Sequence, residues 1–353
     1  MKKDIFYLIL IILSIALFTS CAVVNKPQEG QKDKIADNAL KISDYFPFNK
    51  DTHMVCKGIG NEYAEYQTYV EYIKDNIMQV RNINPGTSLA VVYELKDGEL
   101  KRSLNRGEVY YRYDYTSFGK EDEILIKEPI KTGTSWTLKD GTKRSITSLS
   151  KSISTSAGNY SALEITSESS ETTVTDYYVK NIGLVKKVFK SKESDVTISS
   201  ELEKIEKDTP YNERIRFYYP DFMKDKLAYV DRSVEFFTNQ DTKEVLEKEM
   251  KIIPNDSKLT KVLSDNTKIL NIELDDDKDM VTVDFSSQLV SEMNAGTTLE
   301  SMLLKSITNT FGIYFQKQKV KITLEGKPYS SGHVLMRSDE YFTVDTENTY
   351  EFK

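Results

Sequence analysis

The sequence predicts an α+β protein in two parts, a large curved antiparallel sheet followed by a smaller domain that mixes strands with helices. Three observations carry this. From residue 45 to 203, short runs rich in β-branched and aromatic residues are separated by Asp-Gly and other glycine-containing turns, the pattern of successive hairpins. After a polar, proline-containing stretch at residues 204–212, apolar residues begin to recur at helical spacing between the strands. The aromatic content, 22 Tyr and 15 Phe against one Trp, favours strands.

The chain opens with Lys2 and Lys3 before a run of 14 mostly apolar residues, 5–18, which Leu17-Phe18-Thr19-Ser20-Cys21 closes with small residues before a cysteine. A membrane-spanning helix needs roughly 20 apolar residues, so this shorter run with a basic start reads as a removable secretory signal, residues 1–20. It resembles bacterial lipoprotein signals with a lipobox. Thr19 and Ser20 fit that pattern, and Phe18 stands where an aliphatic residue is usual. The resemblance implies lipid attachment at Cys21, with a diacylglyceryl group and an N-acyl chain such as palmitate, and an extracytoplasmic protein anchored to the cell membrane. Two chains are needed because a single acyl chain binds only reversibly.

With 39% hydrophobic and 29% charged residues the composition is that of a globular protein, and 353 residues allow two domains. Loss of Lys2, Lys3 and Asp4 with the signal takes the formal charge from −7 to −8. An acidic surface lacks the basic footprint of nucleic-acid recognition, so no nucleic-acid partner is expected. With Cys21 lipidated, Cys56 has no partner for an intrachain disulfide and reads as a small buried hydrophobe.

Residues 21–43 are polar and read as a tether, with a typical end-to-end distance of roughly 25 Å and an extended limit of about 70 Å. The sheet follows at 44–203. Residues 62–80 read two ways: Tyr63, Tyr66, Tyr69 and Tyr72 recur at a helical spacing of three, but the alternation Tyr66, Thr68, Val70, Tyr72 and the turn-like Lys74-Asp75-Asn76 fit a hairpin better. Val109-Tyr110-Tyr111-Arg112-Tyr113-Asp114-Tyr115 reads as a strand with Tyr111, Tyr113 and Tyr115 on one face. These three are candidates for a surface that holds an apolar ligand, and such a face is otherwise core. Tyr45-Phe46-Pro47, Gly58-Ile59-Gly60, Gly133-Thr134-Ser135-Trp136 and Asn181-Ile182-Gly183 resemble a pattern of β-rich domains of secreted bacterial proteins related to half-barrel lipoprotein carriers. That resemblance implies a β half-barrel.

In the second part, Ile215, Phe217 and Tyr219 alternate to one face, and Asp241-x-x-Glu244 opens a helix ended by Pro254. Residues 269–274 and 280–285 form a hairpin with Leu270, Ile272, Leu274 and Val281, Val283, Phe285 as expected buried faces. Thr297-x-x-Glu300 opens the strongest helix, with Leu299, Met302, Leu303, Ile307 and Phe311 as its stripe and Gly312 as its expected C-terminal cap. Lys305, Ser306 and Asn309 then fall on the outer face, where Lys305 and Asn309 are candidates for contact with a partner. Val320, Ile322 and Leu324 form a strand.

Residues 213–338 resemble the GerMN domain of sporulation and spore germination, on Val283-Asp284-Phe285-Ser286, the helix from Thr297 to Phe311, and Val320-Lys321-Ile322-Thr323-Leu324-Glu325-Gly326. The family's Pro-x-Gly-Thr appears here as Ser264-Asp265-Asn266-Thr267, with Asn expected to take the left-handed conformation in place of Gly. The resemblance implies a small α+β domain for protein assembly at the envelope, without catalytic residues. Residues 339–353 remain as a C-terminal strand or tail.

No chemistry is concentrated elsewhere in the sequence. His53 and Cys56 are near in sequence, which alone does not make a nucleophile and base. Asp275, Asp277 and Asp279 match positions 1, 3 and 5 of a calcium loop, but Met280 replaces the glycine and Ser286 the bidentate Glu, so the turn reads as a solvated tip. No cofactor, metal or enzymatic activity is expected. The favoured function is a lipid-anchored envelope module for assembly with other proteins. The alternative is a carrier or sensor of an apolar ligand, a lipid or cell-wall fragment, in the half-barrel.

Overall fold

Two meanders, the first strand of one paired with the last strand of the other, build the first half of the molecule. The computed structural model describes residues 40–254 and 258–353; the signal, Cys21 and the tether up to residue 39 lie outside the described residues. A short helix, α1 (Ile42–Tyr45), comes first. Strands β1 (His53–Ile59), β2 (Tyr66–Lys74), β3 (Ile77–Ile83), β4 (Ser88–Lys96), β5 (Glu99–Arg106) and β6 (Glu123–Lys127) then pair in sequence order. Strands β7 (Ser135–Thr137), β8 (Lys143–Thr155), β9 (Gly158–Glu168), β10 (Thr172–Val179), β11 (Gly183–Ser191) and β12 (Thr197–Glu206) pair likewise, and β12 returns to lie antiparallel to β1. The result is one antiparallel sheet of 12 strands whose free edges are β6 and β7.

The turn chemistry read from the sequence is in place. Asp97 and Gly98 both have positive φ, 53° and 72°, as a two-residue hairpin loop matched to the strand twist requires. Residues 62–80 are a hairpin, β2 to β3 around Asp75, after a 3-10 turn at Glu62–Ala64. Bulges at Val55/Cys56, Val70/Tyr72, Val92/Tyr93 and Leu100/Lys101 curve the sheet. The curvature brings β6 and β7 together without a backbone ladder. Instead Trp136 Nε1 donates to Ile124 O at 3.0 Å, Arg144 donates to the same carbonyl at 2.6 Å, and Arg144 pairs with Glu123 at 2.6 Å. Side chains thus close a nearly complete barrel.

The expected strand at Val109–Tyr115 is not one. The segment lies flat on the outer face of β3 and β4, and its carbonyls are taken by side chains: Arg81 donates to Val109 O and Tyr111 O, both at 2.6 Å, and Gln79 donates to Tyr113 O at 2.8 Å. Guanidinium and amide groups replace the neighbouring strand as hydrogen-bond partners, so alternation survives without a ladder.

Beyond residue 206 the chain forms β13 (Tyr211–Asp221) and β14 (Lys226–Phe236), then α2 (Thr242–Met250), β15 (Ile269–Asp275) and β16 (Met280–Phe285). A turn of helix, α3 (Gln288–Ser291), precedes α4 (Thr297–Tyr314), and β17 (Lys319–Leu324) returns parallel to β16. The strand pieces β18 (Lys327–Pro328) and β19 (Phe342–Thr343) pair with β17, and β20 (Thr349–Glu351) pairs in parallel with β14. Helix α4 is wedged between the two sheets, with Leu303, Leu304, Ile307 and Phe311 buried. Each such side chain contributes roughly 1.5–3 kcal/mol before entropy.

Four local expectations are corrected. The N-cap of α4 is Gly296 in place of Thr297, and Glu300 accepts from Tyr329 at 2.7 Å. Gly312 lies inside the helix. Its C-terminus is a Schellman motif in which Gln316 has φ 55° and Lys317 N donates to Gly312 O at 2.8 Å. A bulge at the start of β15 buries Ile269 and leaves Leu270 exposed. Asn266 does not take a positive φ; the turn is closed by Ser264, whose Oγ accepts from Thr267 N at 3.1 Å.

The two halves share one core. Ala90 and Val92 on the outer face of β4, with Val109, Tyr111 and Tyr115, pack with Phe217, Phe236 and Phe315. The described residues accordingly form one compact unit.

Candidate functional site

Strand alternation assigns β3 and β4 two buried faces with different tasks. Gln79, Arg81, Ala90 and Val92 face the C-terminal half, whereas Met78, Val80, Leu89 and Val91 face the barrel interior. The interior is divided. At one end α1 acts as a plug: Ile42 and Tyr45 are buried among Leu100, Ile126, Trp136, Ile146 and Leu163. Phe46 follows, its ring 4.9 Å from that of Tyr93 and 6.4 Å from that of Tyr178.

Past Phe46 the interior is hollow. A cavity of about 360 Å³ is walled by Met54, Cys56, Val70, Met78, Val80 and Val91. Its polar lining includes Asn49, Thr52, Thr68, Asn82, Asn84 and Asn105 with the charged groups Arg102, Glu123 and Lys187. Arg102 and Arg144 both hold Glu123, and Lys187 pairs with Asp176 at 3.1 Å. An apolar wall interspersed with polar groups that can fix a ligand's orientation is the general form of a small-molecule site.

The thiol in the cavity wall, Cys56, is not activated. Burial pushes the Cys56 thiol up to about 11. His53 projects to the other face of β1, stacked on Tyr69 at 4.0 Å, with its ring nitrogens 2.9 Å from Glu206 and 3.1 Å from Gln67. The sheet itself therefore separates imidazole from thiol.

The tyrosines singled out in the sequence lie outside the barrel. Tyr111 and Tyr115 are buried between the halves, their hydroxyls 3.2 Å apart, and Tyr113 is half-buried beside a cleft that Phe118 and Asn271 also line. They are core, with Tyr113 at its edge. Asn309 is fully buried and Lys305 half-buried, because the returning segment 342–347 covers that side of α4. Asn309 donates to Asp345 O at 2.7 Å and accepts from Asp345 N at 3.0 Å, and Lys305 pairs with the Asp345 carboxylate. Cys21 lies outside the described residues.

The buried polar cluster between the halves had no mark in the sequence beyond its residue types. Arg81 and Glu71 form an ion pair, Gln79 donates to Glu71 at 2.7 Å, and Tyr314 donates to Glu213 at 2.9 Å and accepts from Arg112 N at 3.0 Å. The acidic turn carries no ion-binding arrangement: Asp275 pairs with Lys278 at 2.7 Å, and Asp276 with Arg106 at 2.8 Å and Lys317 at 2.6 Å. Among the described residues no group of three or more His, Cys, Asp or Glu could hold a metal, and no helix is long and apolar enough to cross a membrane.

No curated protein matches the chain. Among solved structures it is similar to a protein described as exported, with a YmcC-like fold, from Bacteroides fragilis, at 14% identity over 46% of this chain and 99% of that one, TM-score 0.30. It is also similar to the tandem GerMN domains of the sporulation protein GerM from Bacillus subtilis, at 17% identity over 39% of this chain and 46% of that one, TM-score 0.30. A third is described as a lipoprotein from Parabacteroides distasonis, at 17% identity over 46% of this chain and 98% of that one, TM-score 0.27. Residues 216–330, which span the second half from β13 to the strands around α4, match the family Germane, sporulation and spore germination.

Proposed function

We propose that this protein is a lipid-anchored, extracytoplasmic, non-enzymatic module that assembles with other proteins of the cell envelope, in sporulation or spore germination. The family match over residues 216–330 carries the reading. The signal ending at Cys21 supports the anchor. Labelled fatty acid should enter the wild type and not Cys21→Ala; equal labelling of both would rule the anchor out. Assembly is tested by photocrosslinking in intact envelopes from Met223 and Leu335, which are 81% and 77% exposed. Discrete protein adducts support the module, and their absence from every exposed position of the domain would count against it.

The cavity favours a second reading, that the barrel carries or senses an apolar ligand. Its volume, about 360 Å³, lies within the range of ligand pockets. Co-purification of a bound lipid with the intact protein supports this reading.

A further inference from the structure

We infer that the barrel cavity takes a single-chain anionic amphiphile, with the alkyl tail along Met78, Val80 and Val91 and the anionic head on Arg102 and Lys187. The inference rests on the second reading above and adds the chemistry of the ligand.

Size limits the tail. At about 30 Å³ for each water-sized group, a cavity of about 360 Å³ holds roughly a dozen heavy atoms. That is one short chain, and two acyl chains of a phospholipid would not fit.

Charge selects the head. The charged groups that line the cavity are Arg102, Lys187 and Glu123. Glu123 is already held by Arg102 and Arg144, so its charge is answered within the wall. Arg102 Nε is buried without a hydrogen-bond partner, its nearest ion-pair oxygen being Glu121 Oε2 at 3.8 Å. Lys187 spends one contact on Asp176 and is 46% exposed at the side chain. A carboxylate or phosphate head would supply the missing acceptor for Arg102 and share the Lys187 ammonium. An ammonium head has no acceptor to offer Arg102 Nε.

The position of the polar groups sets the direction of entry. Arg102, Glu123 and Lys187 also line the outer cleft beside β6 and β7, so the head sits where the cavity meets solvent. Phe46 packs beside this end, on Tyr93, the cross-strand partner of Arg102.

The test uses full-length protein in its native membranes and two photoreactive probes, a diazirine-bearing dodecanoic acid and the matching dodecanol, with adducts mapped by peptide mass spectrometry. The acid should label the peptides carrying Met54 and Met78, and dodecanoate should compete while dodecyltrimethylammonium does not. Arg102→Gln with Lys187→Gln should weaken dodecanoate competition about tenfold or more, since hydrogen bonds to charged groups are worth ~1.5–3 kcal/mol, and leave dodecanol labelling unchanged. Leu89→Trp, which narrows the cavity, should reduce both labels. If acid and alcohol label the lining equally, with no effect of the Gln substitutions, the anionic subsite is wrong and the apolar-ligand reading stands. If neither probe reaches the lining in wild-type protein, both fail together.

Discussion

Arg81 Nε lies 2.8 Å from Glu71 Oε1, and the two side chains are 0% and 1% exposed. The pair is sealed between the barrel and the segment that carries Tyr111, and the other guanidinium nitrogens of Arg81 spend their protons on the Val109 and Tyr111 carbonyls. Arg81 therefore ties the barrel wall to the strap on which the C-terminal half rests.

Arg81→Met removes one member of this buried pair and leaves Glu71 charged without its partner. The expected cost is about 3–5 kcal/mol. Arg81→Met combined with Glu71→Leu should recover part of that loss, because no lone charge remains. Urea unfolding of the two variants checks this. A single variant as stable as wild type would mean that the pair contributes nothing to holding the strap.

Glu213 makes stability depend on pH. Burial raises its carboxyl from 4.5 to about 7, opposed by the Arg81 charge and the hydrogen bond from Tyr314, with Glu71 reinforcing the rise and Arg112 opposing it. Between pH 4.5 and 7 the folded state then holds a proton that the unfolded state has released, so stability falls as pH rises through this window and levels off above it. The whole effect is on the order of 3 kcal/mol. Glu213→Gln keeps an acceptor for Tyr314 and should flatten this part of the profile. Melting curves at pH 5 and pH 8 decide it, since an unchanged slope in the variant would place the titration elsewhere.

Helix α4 separates two kinds of position that a helical wheel treats alike. Asn309 exchanges two hydrogen bonds with the backbone of Asp345 in full burial, and Asn309→Ala should cost about 2–4 kcal/mol through the lost bonds and the groups left bare. Lys305 makes a partly exposed ion pair with Asp345, so Lys305→Ala should cost no more than about 1 kcal/mol. Thermal melts that ranked the two the other way would show that segment 342–347 does not cover the helix.

Elements whose cause is local were legible in the sequence. Asp97-Gly98 marks its hairpin, Asp241 caps α2 by accepting from Lys243 N at 3.0 Å, and the stripe of α4 buries as its spacing implies. What failed depended on distant chain. The alternation of Tyr111, Tyr113 and Tyr115 looked like a strand because nothing local shows that Arg81 and Gln79, some 30 residues earlier, take its carbonyls. Asn309 looked external because the segment that covers it lies 36 residues further on. The cavity was hidden for a similar reason. Met78, Val80 and Val91 alternate with residues that are equally buried, so the pattern shows two buried faces without showing which one is hollow.

Gly312 sets propensity against packing. In an exposed helix interior, Gly→Ala stabilises by about 1 kcal/mol. Here a Cβ would stand 2.2 Å from Val344 Cγ2 and 2.8 Å from Lys317 O. Val344 belongs to the segment that covers α4, its N donating to Gln318 O at 2.9 Å, and Lys317 is fixed by the Schellman turn, its N donating to Gly312 O at 2.8 Å. Neither neighbour is the free end of a long side chain, so relief requires backbone movement, and overpacking of this kind costs about 1–3 kcal/mol or more. Gly312→Ala should therefore lower the melting temperature. Gly312→Ala combined with Val344→Ala should restore part of it, because the nearer clash is removed while the carbonyl contact stays. A single variant that melts above wild type would show that the returning segment yields, and the close approach of Val344 to α4 would then not be what requires glycine at this position.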